Sequence, residues 1–161
     1  MKTRPHKALD DGSTPESDAA VLAVRLGEKL NSEVDDFFRP YGLTALQFNV
    51  LRILYVRDAD RHGISRGAIE GLLIRRVPDV TRLLDRLEAA GLIERYRPKD
   101  NQRTVLARLT DKGFDLVENS HAPLLAVNRS QFHHFSKAEL ETLIGFLRKA
   151  LDRPPDPAAA T

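Results

Sequence analysis

A mainly helical fold, a winged helix-turn-helix flanked by N- and C-terminal dimerisation helices, is what this sequence predicts, and three observations carry it. Val80, Leu83, Leu84 and Leu87 fall at i, i+3, i+4 and i+7, a single apolar stripe on one amphipathic helix. Gly91 follows, where the chain must leave that helix through a left-handed turn. Two short strand-like runs, Leu92 to Arg97 and Thr104 to Leu109, then flank the turn-forming Lys99-Asp100-Asn101-Gln102. A helix with a basic outer face followed by a basic hairpin is the order of a recognition helix and its wing.

Taken in order, the elements begin after a polar N-terminal stretch, 1–17, that reads as a disordered tail without an apolar signal core. A first helix, near 18–39, is introduced by Ser17 or Asp18, presents Val21, Val24, Leu30, Val34, Phe37 and Phe38, and stops at Pro40. The second, 45–57, opens on Thr44 with Gln47 completing a capping box and Leu43 stapled to Phe48. Ser65, with Ile64 and Ile69 as staple, starts the third at 66–73. The fourth, 77–90, has Pro78 in its first turn, where no N–H is needed. After the hairpin at 92–109, Thr110 and the Leu109/Phe114 staple open a fifth helix at 111–133, which Pro123 should kink. Ser136, Glu139 and the Phe135/Leu140 staple open the last, 137–151, and 152–161 is a flexible tail. One domain over 18–151 results, with the winged helix at 43–110 and dimerisation helices at 18–39 and 111–151.

Composition narrows the class. A chain of 161 residues with 42% hydrophobic and 30% charged residues fits one ordinary globular domain. It holds no cysteine, which excludes disulfides, thiolate metal sites and thiol-based redox sensing. No run approaches the roughly 18 apolar residues of a membrane span, so a cytoplasmic address without membrane contact is expected. The net charge of +2 says little, but its distribution is informative. From Arg61 to Thr110 there are 11 Lys+Arg against 6 Asp+Glu, a net of +5, leaving 14 against 17 elsewhere, a net of −3. Such concentration on the helix and hairpin suits phosphate neutralisation, although a solvated charged face accounts equally well for any single arginine.

The polar face of the fourth helix, Pro78, Thr81, Arg82, Asp85 and Arg86, carries two guanidinium groups. Leu140, Leu143, Ile144, Leu147 and Leu151 of the last helix, with Val21 and Val24 of the first, give more apolar stripe than a small winged helix covers alone. Burial against a second copy answers this, the alternative being packing within one chain. Tyr41, Phe48 and Tyr55 are candidates to line a ligand cavity between the dimerisation helices and the winged helix, or else they are core. The histidines are His6, His62, His121, His133 and His134; neighbours such as His133 and His134 point about 100° apart on a helix and chelate poorly within one chain, so no metal or other cofactor is expected. No nucleophile triad, phosphate-cradling glycine loop or zinc-protease spacing is present, so an enzyme is not expected.

The order LTALQFNVLRIL, ISRGAIEGLL, VTRLLDRLEAAGLIER and RPKDNQRTVLARLTDKG resembles the MarR family of transcription regulators, closely over Leu43 to Val117 and loosely beyond. The resemblance implies a homodimer whose terminal helices interlock and whose two winged-helix lobes reach adjacent major grooves of double-stranded DNA. It further implies a palindromic operator, most often repression, and release by a small-molecule effector. Carried onto this chain, it puts the base-reading positions at Val77, Pro78, Asp79, Thr81 and Arg82, with Arg86 on the same polar face. Backbone contacts then fall to Arg75, Arg76 and the wing residues Arg97, Lys99, Asp100, Gln102 and Arg103, the Asp100/Arg103 pair shaping the tip and placing an arginine at the minor groove. Two departures matter. Relatives open the recognition helix with small hydroxyl residues, whereas here stand Arg75-Arg76-Val77-Pro78-Asp79, and Asp79 either caps the helix or accepts from a cytosine amine. Gln102 stands where a further basic residue is common, implying a weaker phosphate contact. The competing functional class is a winged-helix protein–protein interaction module, which needs no +5 segment.

Overall fold

The computed structural model describes residues 14–75 and 77–152. Its elements are α1 (Pro15–Phe38), a 3-10 turn (Arg39–Tyr41), α2 (Ala45–Arg57), β1 (Ile64–Ser65), α3 (Arg66–Leu72), α4 (Val80–Ala89), β2 (Ile93–Tyr96), β3 (Leu106–Leu109), α5 (Asp111–Gln131) and α6 (Lys137–Leu151). The mainly helical winged fold expected from the sequence is the one observed. The chain divides into two compact units, and the division falls between Leu124 and Leu125, inside α5 and just past Pro123.

Local chemistry explains where each helix begins. Thr14, not Ser17 or Asp18, caps α1: its side chain accepts from Ser17 N and Pro15 takes the first turn, so residues 15–17 of the expected tail are helical. Pro40 does not end this helix by forcing its neighbour extended. Arg39 stays helical (φ −53°, ψ −43°), Pro40 enters the 3-10 turn, and Gly42 at φ +68° turns the chain away. The capping box at Thr44 and Gln47 forms as read, with Thr44 N donating to Gln47 Oε1 at 2.9 Å. Asp35 of α1 adds a second cap, accepting from Ala45 N at 2.6 Å.

The first unit is built around one core. Val80, Leu83, Leu84 and Leu87 all bury, joining Phe38, Leu43, Phe48, Val50, Leu51, Leu54, Ile69, Leu92, Ile93, Leu109 and Val117. At about 1.5–3 kcal/mol for each large side chain removed from water, this stripe decides that residues 80–89 are a helix. Three antiparallel strands in the order β1-β3-β2 flank it, with Ile64 opposite Ala107 and Ile93 opposite Leu109. β1 was not expected, since two residues carry no period; Ser65 ends the strand and caps α3 at once.

A tight joint ties the end of α4 to the start of α5. Gly91 takes φ +69°, Thr110 Oγ1 donates to Gly91 O at 2.8 Å, and Lys112 Nζ donates to Ala90 O at 2.8 Å. Gly113 lies so close that a Cβ there would stand 2.0 Å from Leu92 O, which only glycine permits. In the second unit, α6 opens on the expected capping box, Ser136 N donating to Glu139 Oε2 at 2.8 Å. The Ser136 hydroxyl and backbone hold the Glu139 carboxyl below its usual range.

Candidate nucleic-acid interface

The fourth helix, α4, starts later than its sequence suggests. Asp79 is its N-cap (φ −145°, ψ 85°), accepting from Arg82 N at 2.9 Å through Oδ1. Residues 77–79 therefore precede the helix, and Pro78 stands before the cap instead of in the first turn. One carboxylate oxygen of Asp79 meets an otherwise orphan N–H, which is the capping role. Thr81, Arg82, Asp85 and Arg86 are exposed on the face opposite the buried stripe. Beside them lies a depression of about 520 Å³ lined by Arg75, Val77, Pro78, Asp79, Arg82 and Arg86 over Leu46 and Leu83. Arg76 lies outside the described residues.

The incoming turn has a feature the sequence did not signal. Asn49 of α2 accepts from Ile74 N at 3.2 Å through Oδ1, pinning the segment that carries Arg75. Ile74 itself is 80% exposed, an apolar side chain beside the basic surface.

Hydrogen bonds from Asn101, Gln102 and Arg97 hold the wing tip together. Asn101 Oδ1 accepts from Arg103 N at 3.2 Å, Gln102 Nε2 donates to Pro98 O at 3.1 Å, and Arg97 Nη1 donates to Gln102 O at 2.8 Å. Among the described residues no ion pair joins Asp100 to Arg103; Asn101 holds the Arg103 backbone, and both charged side chains are exposed. Gln102 is turned back onto the tip, so its amide serves the loop.

Ion pairing sorts the basic residues into two sets. Of the ten described Lys and Arg residues between Arg61 and Thr110, four are paired: Arg61 with Asp111 at 2.7 Å, Arg66 with Glu70 at 3.4 Å, Arg95 with Asp85 and Glu88, and Arg108 with Glu94 at 2.7 Å. Arg61 also lies over the Phe114 ring and Arg108 over the Tyr96 ring, at 4.9 and 4.8 Å. The other six, Arg75, Arg82, Arg86, Arg97, Lys99 and Arg103, have no carboxylate partner among the described residues, and all six are exposed. These are the basic residues the sequence reading assigned to contact. Asp85, a potential partner for Arg82 one turn away, is occupied by Arg95 at 2.7 Å. A second concave surface of about 410 Å³, between α4 and the wing, is lined by Arg66, Thr81, Leu84, Arg95 and Arg103 among others.

Of the candidate ligand aromatics, Tyr41 and Phe48 both meet Phe38, while Tyr55 packs on Phe114. Phe48 is 5% exposed and stacks on Phe38 at 4.1 Å, which is core packing. Tyr55 packs on Phe114 at 5.1 Å and donates to Glu118 at 3.0 Å, a bond that raises the tyrosine pKa by favouring its protonated form. Tyr41 is 53% exposed on the 3-10 turn, 6.1 Å from Phe38. Of the candidate dimerisation residues, Val21 and Val24 on α1 are exposed, as are Ile144, Leu147 and Leu151 on α6, while Leu140 and Leu143 are half-buried. No helix among the described residues is long and apolar enough to cross a membrane.

Known proteins resemble this arrangement throughout. The MarR family model matches residues 43–105. The transcriptional regulator PecS of Dickeya dadantii, a helix-turn-helix protein, is 32% identical over 130 residues, covering 79% of this chain and 78% of its own. Among solved structures, the S. aureus MepR–DNA complex has a TM-score of 0.73 at 26% identity, over 82% of this chain and 95% of MepR. A mutant of E. coli MarR complexed with operator DNA has a TM-score of 0.73 at 26% identity, over 86% and 99% of the two chains.

Proposed function

The chain belongs to the MarR family of DNA-binding transcription regulators, and from that premise we propose that it acts as a homodimeric repressor on a palindromic operator and is released by a small-molecule effector. The observation that carries the DNA-reading part is the sorting of charge between Arg61 and Thr110: among the described residues of that segment, the cations without a carboxylate partner lie on α4, the turn before it and the wing, while the other four are paired with carboxylates of the same lobe. The proposed division of labour gives phosphates to Arg75, Arg76, Arg97, Lys99 and Arg103, and base edges to the α4 face of Thr81, Arg82 and Arg86. Val77, Pro78, Asp79, Asp100 and Gln102 shape these two elements. Asp79 serves as cap in this reading, since its Oδ1 already accepts from Arg82 N. The exposed apolar residues of α1 and α6 support assembly with a second copy, which would present two lobes to half-sites about one helical turn apart. An effector acts in this scheme by favouring one spacing of the lobes over the other.

The test is selection of bound duplexes from a random pool, followed by titrations at several salt concentrations. A palindromic operator is expected. Arg103→Ala should weaken operator and scrambled duplex by similar factors and flatten the salt slope by about one unit per lobe. Arg82→Ala should instead lose about 1–3 kcal/mol of preference at one base per half-site. Identical behaviour of the two variants would move base reading away from Arg82. A chain that captures no duplex returns the interaction-module reading.

A further inference from the structure

Arg95 is counted in the basic surplus of the winged helix, yet its charge is not available to a nucleic acid. It sits on β2 with its side chain turned onto α4, where Nε and Nη2 donate to Glu88 Oε2 at 2.9 and 2.5 Å and Nη2 also meets Asp85 Oδ1 at 2.7 Å. Its backbone N–H goes to the same carboxylate, donating to Glu88 Oε1 at 3.0 Å. Glu88 therefore grips residue 95 by main chain and side chain together, on the strand that leads directly to the wing tip. The pair is reciprocal in its electrostatics: the Arg95 guanidinium holds the Glu88 carboxyl below its usual range, and Glu88 with Asp85 raises the guanidinium further.

We infer that Arg95 is a positioning residue for DNA binding, one that sets the wing against the recognition helix and keeps Asp85 and Glu88 from opposing the phosphates. This rests on the DNA-reading function proposed above. Two physical points favour it over a direct phosphate contact. The guanidinium already has its fork on carboxylates, a geometry that a lysine ammonium does not reproduce. Asp85 and Glu88 lie one turn apart on α4, with Thr81 one turn before Asp85, so one helix face carries both the anchor for the wing and part of the reading surface. The two elements that must fit adjacent grooves are thus joined by one side chain.

The experiment compares wild type, Arg95→Lys, Glu88→Gln and the double variant on the selected operator across salt concentrations, with thermal midpoints recorded for each. Positioning predicts that Arg95→Lys loses about tenfold in affinity although charge is kept, that its salt slope is unchanged, and that the double variant is no worse than the poorer single one. Glu88→Gln, which removes a negative charge near the DNA, should still weaken binding. Full retention of affinity in Arg95→Lys at any thermal midpoint, a flattened slope in that variant, or tighter binding by Glu88→Gln would overturn the inference. A wild-type chain with no salt-dependent duplex binding would instead defeat the DNA-reading function itself, and this inference with it.

Discussion

α4 and α6 are both capped amphipathic helices, and their apolar stripes meet opposite fates. In α4, Val80, Leu83, Leu84 and Leu87 are buried by the lobe, and what remains exposed is a charged face. In α6 no residue is fully buried, and Ile144, Phe146, Leu147 and Leu151 stand open, Phe146 by 67%. The contrast shows that amphipathicity announces a helix without saying which face does the work. α4 offers its polar side because its apolar side is already used; α6 leaves much of its apolar stripe exposed among the described residues.

The contrast breaks most visibly if α6 is altered. Leu143→Asp with Leu147→Asp should abolish operator binding and yield monomer or aggregate in sedimentation, whereas a stable wild-type monomer at micromolar concentration would show that the stripe has no partner. Next comes the α4 stripe: Leu87→Ala should lower unfolding stability by about 2–5 kcal/mol in urea titration. Its cost lies in the lobe core, so binding per folded molecule should change little. A smaller effect is expected at the cap. Asp79→Ala should cost about 1 kcal/mol of stability, and Asp79→Ser should restore most of it, an outcome that base reading by Asp79 would not give for operator affinity.

The smallest effect is acidic. Arg95 holds the Glu88 carboxyl below its ordinary value, chiefly by donating hydrogen bonds. A lowered folded pKa gives a contribution that is complete above the ordinary carboxylate pKa and disappears as pH falls through the lowered one. Because both side chains are partly exposed, about 0.2–1 kcal/mol is expected, measurable as a difference in acid sensitivity between wild type and Glu88→Gln.

Much of the fold was legible because it rests on local chemistry. The α4 stripe, the Thr44 and Ser136 capping boxes and the left-handed Gly91 each follow from a few adjacent residues. Boundaries were misjudged where two registers satisfied the same rule. Ser17 and Thr14 are both good caps, and Pro78 and Asp79 both suit a helix start, so neighbouring contacts had to choose. The family resemblance left Arg95 and Arg108 out of the candidate contact set, but the charge pattern alone gave no physical reason for doing so. Arg95 and Arg108 read like Arg97 and Arg103 in sequence, and only the fold brings Glu88 and Glu94 to the first two. Likewise, nothing local announces that Asn49 reaches Ile74 across 25 positions.

The joint at Gly113 bears on how DNA is met. With Leu92 O in the space a side chain would fill, and with Thr110 and Lys112 bonded to the end of α4, the recognition helix has no swivel of its own at that end. These contacts are made within the lobe itself, so in the proposed reading association does not have to create them. In the proposed interface, the ordering cost on this helix then falls on outer side chains such as Arg75, Arg82 and Arg86, at about 0.5–1.5 kcal/mol each. A preorganised helix carrying loose arginines spends less of the binding free energy on ordering its backbone.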